Sequence, residues 1–384
     1  MRRVLSLFLL IPSISWGEVP QGAPNVPEFA PAFAGQTRAP EMAAIDGLDV
    51  TIFAQGLAHP WGIAALPGGG FLVTERDGRL RHVGADGAVS AAILGVPEVV
   101  ARGQGGLLDV ALAPDFGSSR AIYLSYAKPV GLGRSVTAVA RGQLSHDMTE
   151  LGDIRDVYFQ NRPSRNAAHF GSRVVFGGGH MFITTGERFS PANRLLAQDK
   201  GVDYGKVLRL SPEGALPADN PFGNAVWSLG HRNVQGAAFD AAGQLWAIEH
   251  GPKGGDELNK ITRGANYGWP VISYGENYSG TPVGRGLTQA PGMEQPVYYW
   301  DPVIAPSGMV FYDGAMFPEW RGDLLIASLR PGGLVRLRLR DGRVVGEQRM
   351  LTGTRVRDVE VAPDGSILVL VDADDGGILR LSLK

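Results

Sequence analysis

"APDGSILVLVDADDGGILRLSL" runs from Ala362 to Leu383. A proline, an aspartate and a glycine open it, and an apolar run follows. A second acidic, glycine-rich turn then leads into an alternating run. Turn residues placed this way mark strand ends, and the runs between them suit strands with one or both faces buried. The unit recurs up the chain. "WRGDLLIASLRPGGLVRLRL" (Trp320 to Leu339) and "FDAAGQLWAIEHG" (Phe239 to Gly251) repeat it, as do "FGGGHMFITTGER" (Phe176 to Arg188), "APDFGSSRAIYLSYA" (Ala113 to Ala127) and "LPGGGFLVTERDGRLRHV" (Leu66 to Val83). Six units in one chain predict radial repetition of small antiparallel sheets. The expected fold is all-β, a six-bladed β-propeller with antiparallel four-stranded blades. A plain β-sandwich would not call for six such similar units.

The last run, "GGILRLSL", needs a partner or it leaves an open edge. The first ordered run, "LDVTIFAQGL" (Leu48 to Leu57), is expected to pair within the last blade and close the ring. The propeller domain is therefore assigned to residues 45–384. Residues 18–44, "EVPQGAPNVPEFAPAFAGQTRAP" and the positions after it, are rich in Pro and Ala without periodicity, and read as an extended, mobile linker. Before it, Arg2 and Arg3 precede the apolar run Val4 to Ile11, and Ser15-Trp16-Gly17 offers small residues for cleavage after Gly17. Residues 1–17 are expected to be an export signal, which implies a periplasmic or secreted protein. The apolar run is too short to span a membrane.

Composition narrows the chemistry. With 384 residues, 44% hydrophobic and 19% charged, the chain is long enough for a large core. A net charge of −2 favours neither nucleic acid nor acidic membranes. The 54 glycines and 26 prolines suit many turns, and the absence of cysteine removes thiolate metal sites, thiol nucleophiles and thioether-bound haem.

Four stretches carry candidate chemistry. His169, in "NAAHFGSRVVF", sits on a turn entering an expected inner strand. It reads either as a proton acceptor pointing into the channel or as a backbone-bonded core histidine. "GHRNVQG" (Gly230 to Gly236) offers Arg232 and Asn233, to hold an anion or to tie down the loop. "WAIEHGPKGGDELNKITRGANYGW" (Trp246 to Trp269) gathers Gly251 and Pro252 carbonyls, Asp256, Glu257 and Asn259, with Tyr267 close behind. Such oxygens suit a hard cation, although a solvated acidic turn has the same composition. Arg330 lies in "SLRPGG", and Arg355 and Arg357 lie in "TRVRDVEV". In an extended strand Arg355 and Arg357 share a face, so either an anion or carboxylates must lie between them, unless the edge is simply solvated.

Taken together these stretches resemble the soluble quinoprotein glucose/sorbosone dehydrogenase family, in particular its aldose sugar dehydrogenase branch. The matching segments include "LAHPWGIAALPGGGFLVTERDGRLR", "ARGQGGLLDVALAPDF", "HFGSRVVF", "SLGHRNVQGAAFD", "EHGPKGGDELNKI", "PVYYWDPVIAPSGMVFY" and "RVRDVEVAPDG", in order from Leu57 to the C-terminus. The resemblance implies oxidation of an aldose at C1 to its lactone, with pyrroloquinoline quinone (PQQ) and calcium in the propeller mouth. It implies His169 as general base, with hydride leaving C1 for PQQ, and Arg232 stabilising the developing charge beside Asn233. Gly251 and Pro252 carbonyls would hold the PQQ-bound calcium. Arg330, Arg355 and Arg357 would face the cofactor's carboxylates, and Gln104 would contact cofactor and substrate. Tyr298 and Trp300 would wall the sugar pocket. Glu257, Tyr267 and Asp256 resemble ligands of a second calcium. Ala168 stands before the base where relatives often carry a polar residue, which favours a broader or larger substrate. Electrons would pass to an external acceptor, a quinone or cytochrome. The alternative from another class is a calcium-dependent propeller lactonase, and a non-catalytic binding propeller is a third reading.

Overall fold

The computed structural model describes residues 17–384, so the expected export signal lies almost wholly outside the described residues. Six four-stranded antiparallel sheets stand around a central axis. The first five run in chain order. Their innermost strands are Pro60–Ala65, Leu107–Leu112, Gly171–Gly177, Val234–Phe239 and Pro306–Phe311. The sixth is built from Val356–Val361, Ile367–Val371 and Gly376–Leu383, and its outer strand is Leu48–Leu57 from the other end of the chain. Leu48 pairs with Leu383 and Leu57 with Gly376. The exposed edge expected for the final strand is therefore covered, and the ring is closed by backbone hydrogen bonds.

Each inner strand carries a register irregularity near its start, for example between Pro60 and Ile63, Gly171 and Val174, and Val356 and Asp358. A bulge bends the strand and re-aims side chains, and here it turns polar groups into the narrow channel. Arg173 spans that channel between Asp109 (2.7 Å) and Asp358 (2.9 Å), with its guanidinium 4.9 Å over the Trp61 ring. Burial raises the Asp109 carboxyl to about 6 even against Arg173. Glycine is required opposite: a Cβ on Gly308 would fall onto the Asp358 carboxylate. This buried group ties the inner strands of the second, third and sixth blades together across the axis, and the end where the inner strands begin is the mouth. Removing one partner of such a pair strands an uncompensated charge. Between the blades lie apolar clusters, such as Leu72, Leu80, Leu107, Ile122 and Leu124 between the first and second.

Residues 17–46 are fastened, which departs from the expectation of a mobile linker. Asp301 accepts from the backbone N–H of Asn25 (2.9 Å) and of Val26 (3.0 Å). The Met42 N–H donates to Glu347 O, and the Gln36 carbonyl accepts from Tyr299 N–H. Val19, Val26, Gln36 and Ala39 are buried. The segment is extended, as its composition suggests, yet its polar backbone finds partners along the fourth and fifth blades. No helix among the described residues is long and apolar enough to cross a membrane.

Candidate active site

His169 precedes the third blade's inner strand with φ 52°, in the left-handed region. The backbone packs so tightly there that a Cβ on Gly186 would clash with the His169 carbonyl. The His169 N–H donates to Gln104 Oε1 (2.8 Å), so the exposed Gln104 holds the His169 backbone in place. The ring is buried against Phe189, centroids 4.8 Å apart. Its Nδ1 lies 3.0 Å from Glu187 Oε1. Burial, reinforced by Arg232, Arg188 and Arg194, holds the imidazole pKa well below its ordinary value. The ring is therefore neutral at pH 7. With Nδ1–H donating to Glu187, Nε2 carries the free lone pair, as a proton acceptor requires.

Arg232 is buried nearby, with its guanidinium 5.3 Å from the Trp269 ring. It donates to His250 O (3.0 Å) and to Tyr278 Oη (3.3 Å), and its Nε finds no protein partner. Asn233 uses its side-chain oxygen to accept from Gly171 N–H (3.1 Å) and from Gln235 (3.2 Å), which locks the two inner strands together. Desolvation, followed by the charge of Arg232, lowers His250 to about 3. His250 stays neutral and donates from Nε2 to Pro306 O (2.7 Å). His231 is structural, held between Ser228 and Glu249.

Gly251 and Pro252 face an open cleft of about 930 Å³, together with Arg330 and Tyr278. Their carbonyls accept no backbone hydrogen bond among the described residues. A Cβ on Gly251 would meet the Gly255 backbone at 2.2 Å, so only glycine allows this turn. Two carbonyls without a hydrogen-bond partner, on residues that line a cleft, suit a hard cation. Arg330 is exposed there, and its side chain forms no ion pair or hydrogen bond among the described residues.

Arg355 and Arg357 do share a face. The group between them is Asp372, whose Oδ2 accepts from Arg355 Nε (2.8 Å) and Arg357 Nη2 (3.1 Å). A single carboxylate offsets one of those two charges; burial acts to raise its pKa, but Arg357, with Arg355, holds it far below the ordinary value. Burial lowers Arg357 to about 10. Of the three arginines, Arg330 has the charge most available to an incoming anion.

The expected second cation site is only partly assembled. Glu257 stands opposite Glu249 in strand register. Burial and the Glu249 charge push its carboxyl well above the ordinary range. Asn259 Oδ1 is buried without a partner, and a void of about 10 Å³ lies between Glu249, Glu257 and Tyr267. That is close to the space one water or ion occupies. Two assignments change. Asp256 is not a free ligand: its carboxylate accepts from Gly251, Ile304 and Ala305 N–H at 2.8, 2.8 and 2.7 Å. It braces the Gly251 turn. The Tyr267 hydroxyl is also spent, donating to Lys260 O and accepting from Thr262 N–H. Only the Tyr267 carbonyl is left to serve a cation. Among the described residues no three His, Asp or Glu side chains cluster for a metal, so any ion here must draw on carbonyls.

Tyr298 and Trp300 do not wall the pocket. They are 0% and 1% exposed. Both donate to Glu347 Oε2, at 2.8 and 3.2 Å, in the core between the fourth and fifth blades. The aromatics at the mouth are Phe189 and Tyr278, 42% and 65% exposed with centroids 6.4 Å apart. Sequence reasoning missed both, and Glu187 with them. "GERF", directly after the strand His180–Thr185, was the available signal for Glu187 and Phe189. Tyr278, in a long loop, offered none.

Comparisons with known proteins identify the family. Residues 57–380 match the glucose/sorbosone dehydrogenase family. An aldose sugar dehydrogenase of Escherichia coli K12 is 43% identical over 353 residues, spanning 88% of this chain and 94% of that protein. The crystal structure of the soluble aldose sugar dehydrogenase from Escherichia coli in the apo-form has a TM-score of 0.84 at 42% identity, covering 88% of this chain and 100% of that one. The PQQ-bound form of an aldose sugar dehydrogenase from Streptomyces coelicolor has a TM-score of 0.71 at 31% identity, covering 89% and 100%. With a shared fold, a family match across nearly all of the propeller and relatives more than 40% identical along most of its length, the chain belongs to the glucose/sorbosone dehydrogenase family.

Proposed function

We propose that the protein is a PQQ- and calcium-dependent dehydrogenase that oxidises aldose sugars at C1 to the lactone. The observation that carries this is the neutral, Glu187-oriented His169 beside Arg232, in a mouth that also offers two free carbonyls and the unpaired Arg330. The residues fit the cofactor. Arg330, with the Arg355–Asp372–Arg357 group behind it, suits a planar polycarboxylate, and the Gly251 and Pro252 carbonyls suit a calcium ion beside it. PQQ with calcium, when bound, supplies the two-electron acceptor and the Lewis acid that polarises it. His169 Nε2 takes the proton from the anomeric hydroxyl. Arg232, desolvated and fixed by His250 O and Tyr278, faces the oxygen on which charge develops. Phe189 and Tyr278 present flat apolar faces that exclude water and can stack on a sugar ring.

The charged start and apolar run of residues 1–17 support export to the periplasm or beyond, and the electrons go on to an external acceptor. Titrating PQQ into calcium-loaded apo-protein tests the assignment. Arg330→Ala is expected to weaken PQQ binding by about tenfold or more, the scale of a lost hydrogen bond to a charged group. Unchanged binding would remove Arg330 from the cofactor site. Dye reduction by glucose should require both PQQ and calcium, and a full rate after exhaustive chelation would exclude the metal.

A further inference from the structure

The mouth face is not uniformly charged. Three of its loops meet beside His169: 93–106, which enters the second blade, 130–134 at that blade's turn, and 160–168, which leads to the base. Buried Arg188 donates to Ser135 O (3.1 Å) and Ala168 O (3.3 Å), and Arg102 donates to Arg165 O (2.7 Å), so the three are joined. They carry Arg102, Arg134, Arg162 and Arg165 against one acid, Glu98. All four arginines are exposed, and none forms an ion pair among the described residues. Neighbouring acids are already engaged: Asp77 pairs with Arg79 (2.6 Å) and Asp156 with Lys128 (2.6 Å). The chain as a whole has a net charge of −2, so the positive rim is a local arrangement and not a bulk property. None of these loops lines the cleft of Gly251 and Arg330.

Two large apolar side chains stand out from this rim. Leu132 is 79% exposed at the tip of 130–134, and Phe159 is 62% exposed at the end of the strand Leu151–Phe159. Apolar groups ringed by arginine are the usual anatomy of a protein interface, where aromatic residues and arginine are enriched. The two anchors do not lie in one plane. Phe159 pairs with Ala138, while the Leu132 loop leaves from Ser135, so they are stepped by about 10 Å at ~3.3 Å per residue. A flat bilayer would reach Leu132 and miss Phe159. A protein of complementary relief reaches both.

We infer that this rim is the docking face for an acidic one-electron carrier protein, which takes the electrons that sugar oxidation releases. This rests on the sugar dehydrogenase reading above. Oxidising one aldose to its lactone releases two electrons and two protons, so two carrier molecules are each reduced by one electron and the protons pass to solvent. A small patch suits redox encounters, which must dissociate between turnovers, and opposite charge speeds their formation. The test uses cytochrome c, which is basic, and its fully succinylated form, which carries the same haem with the opposite charge. In the PQQ- and calcium-loaded enzyme with glucose, kcat/KM should favour the succinylated form at ~10 mM salt, where charges act over about 30 Å, and the preference should vanish near ~1 M. Arg134→Gln/Arg162→Gln/Arg165→Gln should lose about tenfold or more of kcat/KM for the succinylated form at low salt, the lower end of electrostatic steering. Its reduction of the small cationic dye phenazine methosulfate and its KM for glucose should not change. Leu132→Ser should weaken the encounter at both salt concentrations, because apolar contact is not screened. Calorimetric titration of the sugar-free proteins with the succinylated form should give the same order of affinities. Equal kinetics with the two cytochromes in wild type and variants, with the dye still reduced, would overturn the docking face and leave the dehydrogenase reading intact. Failure of the dye as well would reject the dehydrogenase reading, and calorimetric binding lost in the triple variant would then still uphold the acidic-protein face. Retention of wild type, but not of the triple variant, on vesicles of phosphatidylcholine and phosphatidylglycerol in equal parts, with equal cytochrome kinetics, would overturn it in favour of a membrane face.

Discussion

Glu187→Gln isolates the group that would make His169 a base in the proposed mechanism. During proton abstraction His169 becomes an imidazolium among Arg232, Arg188 and Arg194, the same charges that depress its pKa at rest. Among the described residues Glu187, with Oε1 3.0 Å from Nδ1, is the acid bonded to the ring and offsets them. Two unit charges 3.0 Å apart attract by about 5 kcal/mol at an effective dielectric of ~20. A glutamine oxygen still accepts from Nδ1–H, so the variant keeps the orientation and loses roughly half of that attraction. About 3 kcal/mol corresponds to a ~10²-fold loss of kcat. The pH profile adds a signature that misfolding would not produce. Burial raises Glu187 to about 7. Below that pH Glu187 is protonated and donates to Nδ1, which leaves the proton on Nε2, where a base needs a lone pair. The rate should therefore rise as pH passes through about 7 in wild type, and this limb should vanish in Glu187→Gln. Steady-state kinetics from about pH 5.5 to about pH 9, with PQQ titration to confirm unchanged cofactor binding, would decide it. A variant within about twofold of wild type in kcat, or one that keeps the limb, refutes the argument.

Two further outcomes follow from the corrected assignments. Tyr298→Phe removes one of the donors to the buried Glu347 and should cost about 1–3 kcal/mol of stability, seen as a lower Tm, with KM for glucose unchanged. A raised KM with an unchanged Tm would return Tyr298 to the sugar pocket. Without PQQ, calcium at about 100 times its Kd should stabilise wild type by ~2.7 kcal/mol through the Glu257 site. Calorimetry should find that increment lost in Glu257→Gln, and equal increments in the two proteins would reject the site.

Much of the fold was legible because turn chemistry and period-2 runs are local properties. The repeated unit in "APDGSILVLVDADDGGILRLSL" predicted the blades, and the unpaired final strand predicted closure by Leu48–Leu57. His169, Arg232, Gly251, Pro252 and Arg330 could be singled out as candidates because loops carry their chemistry in contiguous residues. The failures share one cause. "YYW" is apolar at every position, so alternation cannot say which face meets a neighbouring blade; the pairing of Asp256 with Trp300 decides it and sends Tyr298 and Trp300 into the core. Asp256 looked free because Ile304 and Ala305 lie far along the chain, and the choice between an anion and a carboxylate beside Arg355 and Arg357 stayed open because Asp372 lies past the end of the next strand. The N-terminal segment looked loose because proline and alanine show no periodicity, yet Asp301 caps it from 276 residues away. The sequence by itself determined the repeating sheets and the oxygen- and nitrogen-bearing loops. The ring alone decided which of those atoms are satisfied within the protein and which remain free for a ligand, because a hydrogen-bond partner is set by proximity in space and not along the chain.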